Sequence, residues 1–107
     1  MNFSDLGKMR EMMSQAKEMQ AQMEQKLAET IVEAETGGGM VRVRMNGKKE
    51  VLRLTIEPTA LGATTGDVEL LEDLIMAAVN EAGRRADEAI KASVSGLMGG
   101  LNLPGIS

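Results

Sequence analysis

The feature that most constrains this chain is the run from Met40 to Pro58, where Val41, Val43 and Met45 alternate with Arg42 and Arg44, and Leu52, Leu54 and Ile56 alternate with Arg53 and Thr55. A period of two places one set of side chains on each face of an extended strand, so the run predicts two half-buried strands with one apolar and one basic face. Asn46-Gly47 follows the first strand. Positive φ is cheap at both residue types, so a reversal there pairs the two strands as a hairpin. Lys48 to Glu50 either lengthens the turn or forms the polar start of the second strand. The hairpin carries a local charge of +4 from Arg42, Arg44, Lys48, Lys49 and Arg53 against Glu50, within a chain of net charge −4.

A chain of 107 residues forms one domain with a modest core. Phe3 is its only aromatic residue, and 10 Met residues take up much of the apolar content, so the core is expected to be aliphatic and Met-rich. Aromatic platforms for stacking single-stranded bases are therefore excluded. With neither Cys nor His, disulfides, the usual zinc sites and His-based triads are excluded as well. No signal peptide and no run of 18 apolar residues is found, which predicts a cytoplasmic protein without a membrane span. The overall acidity argues against a diffuse polycation, so any nucleic-acid contact has to come from placed patches.

Before the hairpin, Met9, Met12, Ala16, Met19 and Met23 recur at spacings of three and four, between Leu6 and Leu27. That seam predicts a helix from Ser4 to about Leu27, with Ser4 as its cap. It would be roughly 35 Å long, more than so small a domain can cover. Its Met residues pack against the sheet and a partner helix, or present an adaptable surface to another protein. Thr30, Val32 and Ala34 alternate with Glu33 and Glu35, predicting a third strand whose acids face the basic side of the hairpin. Gly37-Gly38-Gly39 reads as a flexible turn. A phosphate loop would need Lys-Ser or Lys-Thr after its last glycine, and Gly47-Lys48 runs into Lys49.

Pro58 ends the sheet because it has no N–H for the ladder, and Thr59 to Gly66 reads as a loop. Asp67 caps a second long helix to about Ser93, marked by Leu71, Leu74, Ile75, Ala78, Val79, Ala82, Ala86 and Ile90. Its apolar stripe thins to Ala, suggesting close contact with another helix. Residues 96–107, rich in Gly and broken by Pro104, read as a flexible tail after a single domain at 1–95. The fold class is α+β: helix, three antiparallel strands, helix.

Neighbouring carboxylates such as Glu72 and Asp73 diverge by about 100° on a helix and read as a solvated face, and no nucleophile stands beside a base. An enzyme is not expected. The helix cations Lys8, Arg10, Lys17, Arg84, Arg85 and Lys91 are interleaved with acids, so solubility and i,i+4 pairing are one role for them. Arg84 and Arg85 lie about a turn from Asn80, and the three could share a phosphate oxygen.

These features resemble the YbaB/EbfC nucleoid-associated DNA-binding proteins of bacteria. The resemblance rests on Met19-Gln20-Ala21-Gln22-Met23, the Gly-rich turn into Val41-x-Val43, Asn46-Gly47, Ile56-Glu57-Pro58, and the block from Leu71 to Ala82. It implies an α-β-β-β-α protomer, dimeric, with long helices forming tweezers around duplex DNA. It also implies nucleoid association, no cofactor, no membrane and no small-molecule substrate. Lys8, Arg10, Lys17, Arg84, Arg85 and Lys91 then become candidate phosphate contacts. Val41, Val43, Leu52, Leu54 and Ile56 become core or dimer contacts. The competing reading is a dimeric protein-interaction module with Met-rich helices and no affinity for DNA.

Overall fold

The computed structural model describes residues 3–63 and 66–100. In chain order it has α1 (Phe3–Glu29), β1 (Ile31–Thr36), β2 (Val41–Asn46), β3 (Val51–Ile56), α2 (Pro58–Ala63) and α3 (Val68–Gly100). The strands form one antiparallel sheet in the order β1-β2-β3, which stands between the two long helices along the chain. This is the expected α-β-β-β-α arrangement.

The alternation read from the hairpin determines what is buried. Val41, Val43 and Met45 of β2 point to one face with Ala34 of β1, and there they meet Ala78, Ala82 and Ala86 of α3. The Ala stripe therefore packs on the sheet, and not on another helix as its small side chains had suggested. Small residues at spacings of four bring the α3 backbone close to β1 and β2, a close approach that serves a sheet as well as a helix. Leu71, Leu74, Ile75 and Val79 border this core.

Both turns differ in detail from expectation. Gly37 and Gly38 hold φ values of 64° and 68°, and the Gly39 N–H donates to the Thr36 carbonyl at 3.3 Å. Gly39 follows at 95°, so three successive glycines hold the left-handed backbone that carries the four-residue loop between the paired Thr36 and Val41, a conformation that costs glycine little. The Thr36 hydroxyl adds a 2.7 Å bond to the Leu74 carbonyl and ties this turn to α3.

At the other turn the left-handed residue is Lys49 (φ 64°), not Asn46 or Gly47. The Lys49 N–H donates to the Asn46 carbonyl (3.0 Å) and the Asn46 N–H to the Glu50 carbonyl (3.2 Å), giving a three-residue loop with its positive φ at the third position. Buried Asn46 organises it, since its Oδ1 accepts from the N–H groups of Lys48 and Glu50, both at 3.0 Å. Gly47 is needed for another reason. Its N–H donates to the Leu27 carbonyl at 2.8 Å, and a Cβ there would lie 2.8 Å from that oxygen and 2.9 Å from Ile90 Cδ1. The tip of the hairpin thus caps the last turn of α1. Thr30 helps, its hydroxyl donating to the Lys26 carbonyl at 2.7 Å.

Beyond that joint α1 leaves the body. None of its residues is buried, and its Met seam does not pack against the sheet. Ser4, read as the cap, falls within the described helix, which runs from Phe3. Pro58 does end the sheet, but it also opens the six-residue α2 where a loop was expected. At the first helical position a missing N–H costs nothing. Asp67 caps α3 as read, accepting from the Leu70 N–H at 2.9 Å. That helix continues past Ser93 to Gly100, so residues 96–100 of the expected tail are helical. Residues 101–107, the rest of that segment, lie outside the described residues.

β3 is only partly covered on its apolar side, where Ile56 is half-buried and the apolar residues before it are exposed. The register passes from Arg44 opposite Arg53 to Met45 opposite Val51, so Leu52 is the extra residue of a β-bulge. Leu52 and Leu54 remain 49% and 44% exposed. The radius of gyration is 21.1 Å, with extents of 73 × 33 × 18 Å, whereas a compact chain of this length has about 13 Å. One chain alone does not enclose its apolar surface.

Candidate functional site

The six cations singled out from sequence fall into two separate places. Arg84 and Arg85 sit at the middle of α3, and both lean back onto Glu81, one helical turn earlier. Arg84 donates to Glu81 Oε2 from Nη2 (2.6 Å) and Nε (3.0 Å), while Arg85 Nε donates to Oε1 (3.3 Å). Arg85 Nη1 also reaches the Glu33 carbonyl on the rim of β1 at 2.6 Å. The Arg84 hydrogen bond is the largest cause that holds the Glu81 carboxyl below its ordinary value, opposed in part by desolvation and aided by Arg85.

This changes the expected phosphate seat. Asn80, Arg84 and Arg85 were read as three donors, but the two guanidinium groups share a carboxylate that cancels one of their two charges. Glu81 was visible in the sequence at the i−3 and i−4 positions from the two arginines, the spacing at which such pairs form on a helix. Lys91 follows Arg84 by seven residues, which returns it to within about 20° of the same face. It has no ion pair among the described residues.

Lys8, Arg10 and Lys17 lie on the projecting part of α1, all exposed and without ion pairs among the described residues. Arg10 and Lys17 share a face by the same seven-residue spacing, while Lys8 stands about 160° from Arg10, across the helix. Lys17 is ten residues, roughly 15 Å, beyond the Leu27 joint. One chain therefore does not gather all six cations on a single surface.

The sheet holds a third group. On its open face Glu33 pairs across to Arg44, and Glu35 to Arg42, as the acidic strand predicted. The contacts are long and exposed, 4.0 Å and 3.7 Å, so they contribute little to stability. Lys49 meets Asp87 of α3 at 2.8 Å. Arg53 and Lys48 have no ion pair among the described residues.

Apolar surface is distributed in a similar way. Met12 and Met19 on α1 are 68% and 70% exposed. Where α1 and α3 run out together beyond the hairpin, Met19, Met23, Ile90 and Val94 line an open cleft of about 450 Å³. Among the described residues no helix is long and apolar enough to cross a membrane, and no group of His, Cys, Asp or Glu is arranged to hold a metal ion.

Residues 6–101 match the model of the YbaB/EbfC DNA-binding family. A nucleoid-associated protein of Acidobacterium capsulatum is 65% identical over 91% of this chain and 93% of its own length. One from Koribacter versatilis is 48% identical over 89% and 92%. Among solved structures, an uncharacterized protein from Helicobacter pylori is similar with a TM-score of 0.63 and 31% identity, covering 92% of this chain and 98% of that one.

Proposed function

The chain belongs to the YbaB/EbfC DNA-binding family, and from that membership we propose that it is a nucleoid-associated protein that binds double-stranded DNA as a homodimer, mainly through the phosphate backbone. Binding is its activity, and organisation of the nucleoid or an effect on gene expression is the consequence. The observation that carries the reading is the family match across nearly the whole chain. Two features of the protomer support it. The exposed part of the apolar side of β3 and the exposed Met seam of α1 are surfaces that a second copy would cover. A dimer would also double every cationic group.

Backbone contact follows from the side chains available. Arg and Lys reach phosphates from long exposed helices, while Phe3, the one aromatic residue, does not make a stacking platform for successive bases by itself. If three cations per protomer each neutralise one phosphate, the dimer makes about six contacts, and log K falls with log salt at a slope near −5. The test is a gel-shift titration of the full chain on random-sequence duplex at low and moderate salt. The proposal expects a shift that weakens with salt and does not depend on sequence. A protein-interaction module, the reading that exposed Met would also suit, gives no shift at any concentration.

A further inference from the structure

We infer that the open face of the sheet is a phosphate-binding surface in its own right, centred on Arg44 and Arg53, and that the duplex backbone is its ligand. This rests on the DNA-binding reading but places part of the contact away from the helix cations. Arg44 and Arg53 are directly opposite each other in the β2–β3 register. Like charges at opposed positions of antiparallel strands repel and destabilise the pair. Glu33 relieves Arg44 only at 4.0 Å, and Arg53 has no ion pair among the described residues. The fold gains nothing from this juxtaposition, whereas an anion set between two guanidinium groups would gain from both.

The surroundings extend the seat. Arg44, Arg53, Arg42 and Thr55 line a shallow depression of about 490 Å³, and Arg85 comes over the β1 rim into it. Of the four guanidinium groups there, Arg85 is also held by Glu81, while Arg44 and Arg42 meet Glu33 and Glu35 in contacts exposed and long enough for a phosphate to replace. Arg42 lies two residues before Arg44 on β2, about 6.6 Å along the strand from the Arg44–Arg53 row, so successive phosphates of one backbone can meet successive rows. The trough is open and lacks any aromatic side chain, which suits a polyanion held by its phosphates and does not suit an enclosed mononucleotide.

The test compares the full-length protein with the double variant Arg44→Gln/Arg53→Gln and the single variant Arg53→Gln. Fluorescence anisotropy on a random-sequence duplex is followed over a salt series, with thermal unfolding recorded for each protein. The expected result is a fall in affinity of about tenfold or more and a salt slope less negative by roughly two per protomer in the double variant, roughly one in the single. Thermal stability should be unchanged or higher, because a repulsive pair has been removed. Should the double variant lose stability, the single variant decides, since Arg53 has no ionic partner to strand. An unchanged slope with intact wild-type binding overturns the sheet surface and leaves the DNA-binding reading standing. Absence of wild-type binding at every salt concentration overturns both.

Discussion

Glu81 decides how much charge the middle of α3 can offer a ligand. It holds Arg84 and Arg85 by three hydrogen bonds, and in return its carboxyl is kept ionised to lower pH than usual. Glu81→Gln should free one unit of positive charge per protomer, so DNA affinity at fixed salt rises and the salt slope steepens by about one per protomer. Anisotropy on a random duplex measures both, and weaker binding would show that Glu81 orients the arginines for the phosphate. The pH dependence has a definite sign. A carboxyl whose folded pKa lies below its unfolded one stabilises the fold above the unfolded value, and that contribution is lost as pH falls through the folded value. Acid should therefore cost the wild type stability that Glu81→Gln does not lose, visible as a shallower fall of Tm below the ordinary carboxylate range. Reading single residues from sequence had a clear limit here. Arg84 and Arg85 were identifiable as cations, but which carboxylate they meet depends on rotamers as well as spacing. Gly47 shows the same limit, because a glycine kept free of a Cβ by Leu27 and Ile90 looks identical in sequence to one kept for its φ.

At the scale of elements, alternation and helical spacing were legible because they follow from geometry within one segment. That the acids of β1 lie beside the basic face of the hairpin could be read before any coordinates, and the register adds the partners, Glu33 opposite Arg44 and Glu35 opposite Arg42. What a stripe packs against is not contained in the stripe. Ala78, Ala82 and Ala86 announced close approach, and only the tertiary arrangement shows that the neighbour is the β1–β2 surface. Pro58 and the glycines of α3 misled for a related reason, since breakers act by position and both were placed where a helix tolerates them. The joint between α1 and the hairpin gives the clearest prediction for an element. Gly47→Ala puts a methyl group against backbone at 2.8 Å, so the strand tip or α1 must move. A loss of about 1–3 kcal/mol in urea unfolding is expected, together with a changed α1 direction detectable by small-angle scattering. A variant as stable and as extended as the wild type would show that the joint gives way freely.

For the whole molecule, shape and charge lead to the same requirement. A protomer 73 Å long with a net charge of −4 neither encloses its apolar surface nor presents a uniformly positive one. Its cations lie in three patches, on α1, on α3 and on the open sheet, and a dimer is the simplest way to combine them. Leu54→Asp probes the proposed covering of β3. Leu54 is 44% exposed in one chain, so the substitution should leave the protomer folded by circular dichroism while it shifts the molar mass by light scattering toward the monomer. If the variant remains dimeric, the two copies meet elsewhere, with the Met seam of α1 the next surface to substitute.

The capping bond from Gly47 to Leu27, near the end of α1, also makes the projecting part of that helix a lever with its pivot at one end. Phe3 stands 24 residues from that pivot, about 36 Å along the axis. A rotation of only 10° at the pivot swings the far end by about 6 Å, half the width of a DNA major groove of about 12 Å. The gauge of what the arm can reach is therefore set by the few atoms around Gly47, where Leu27 and Ile90 leave no room for a side chain.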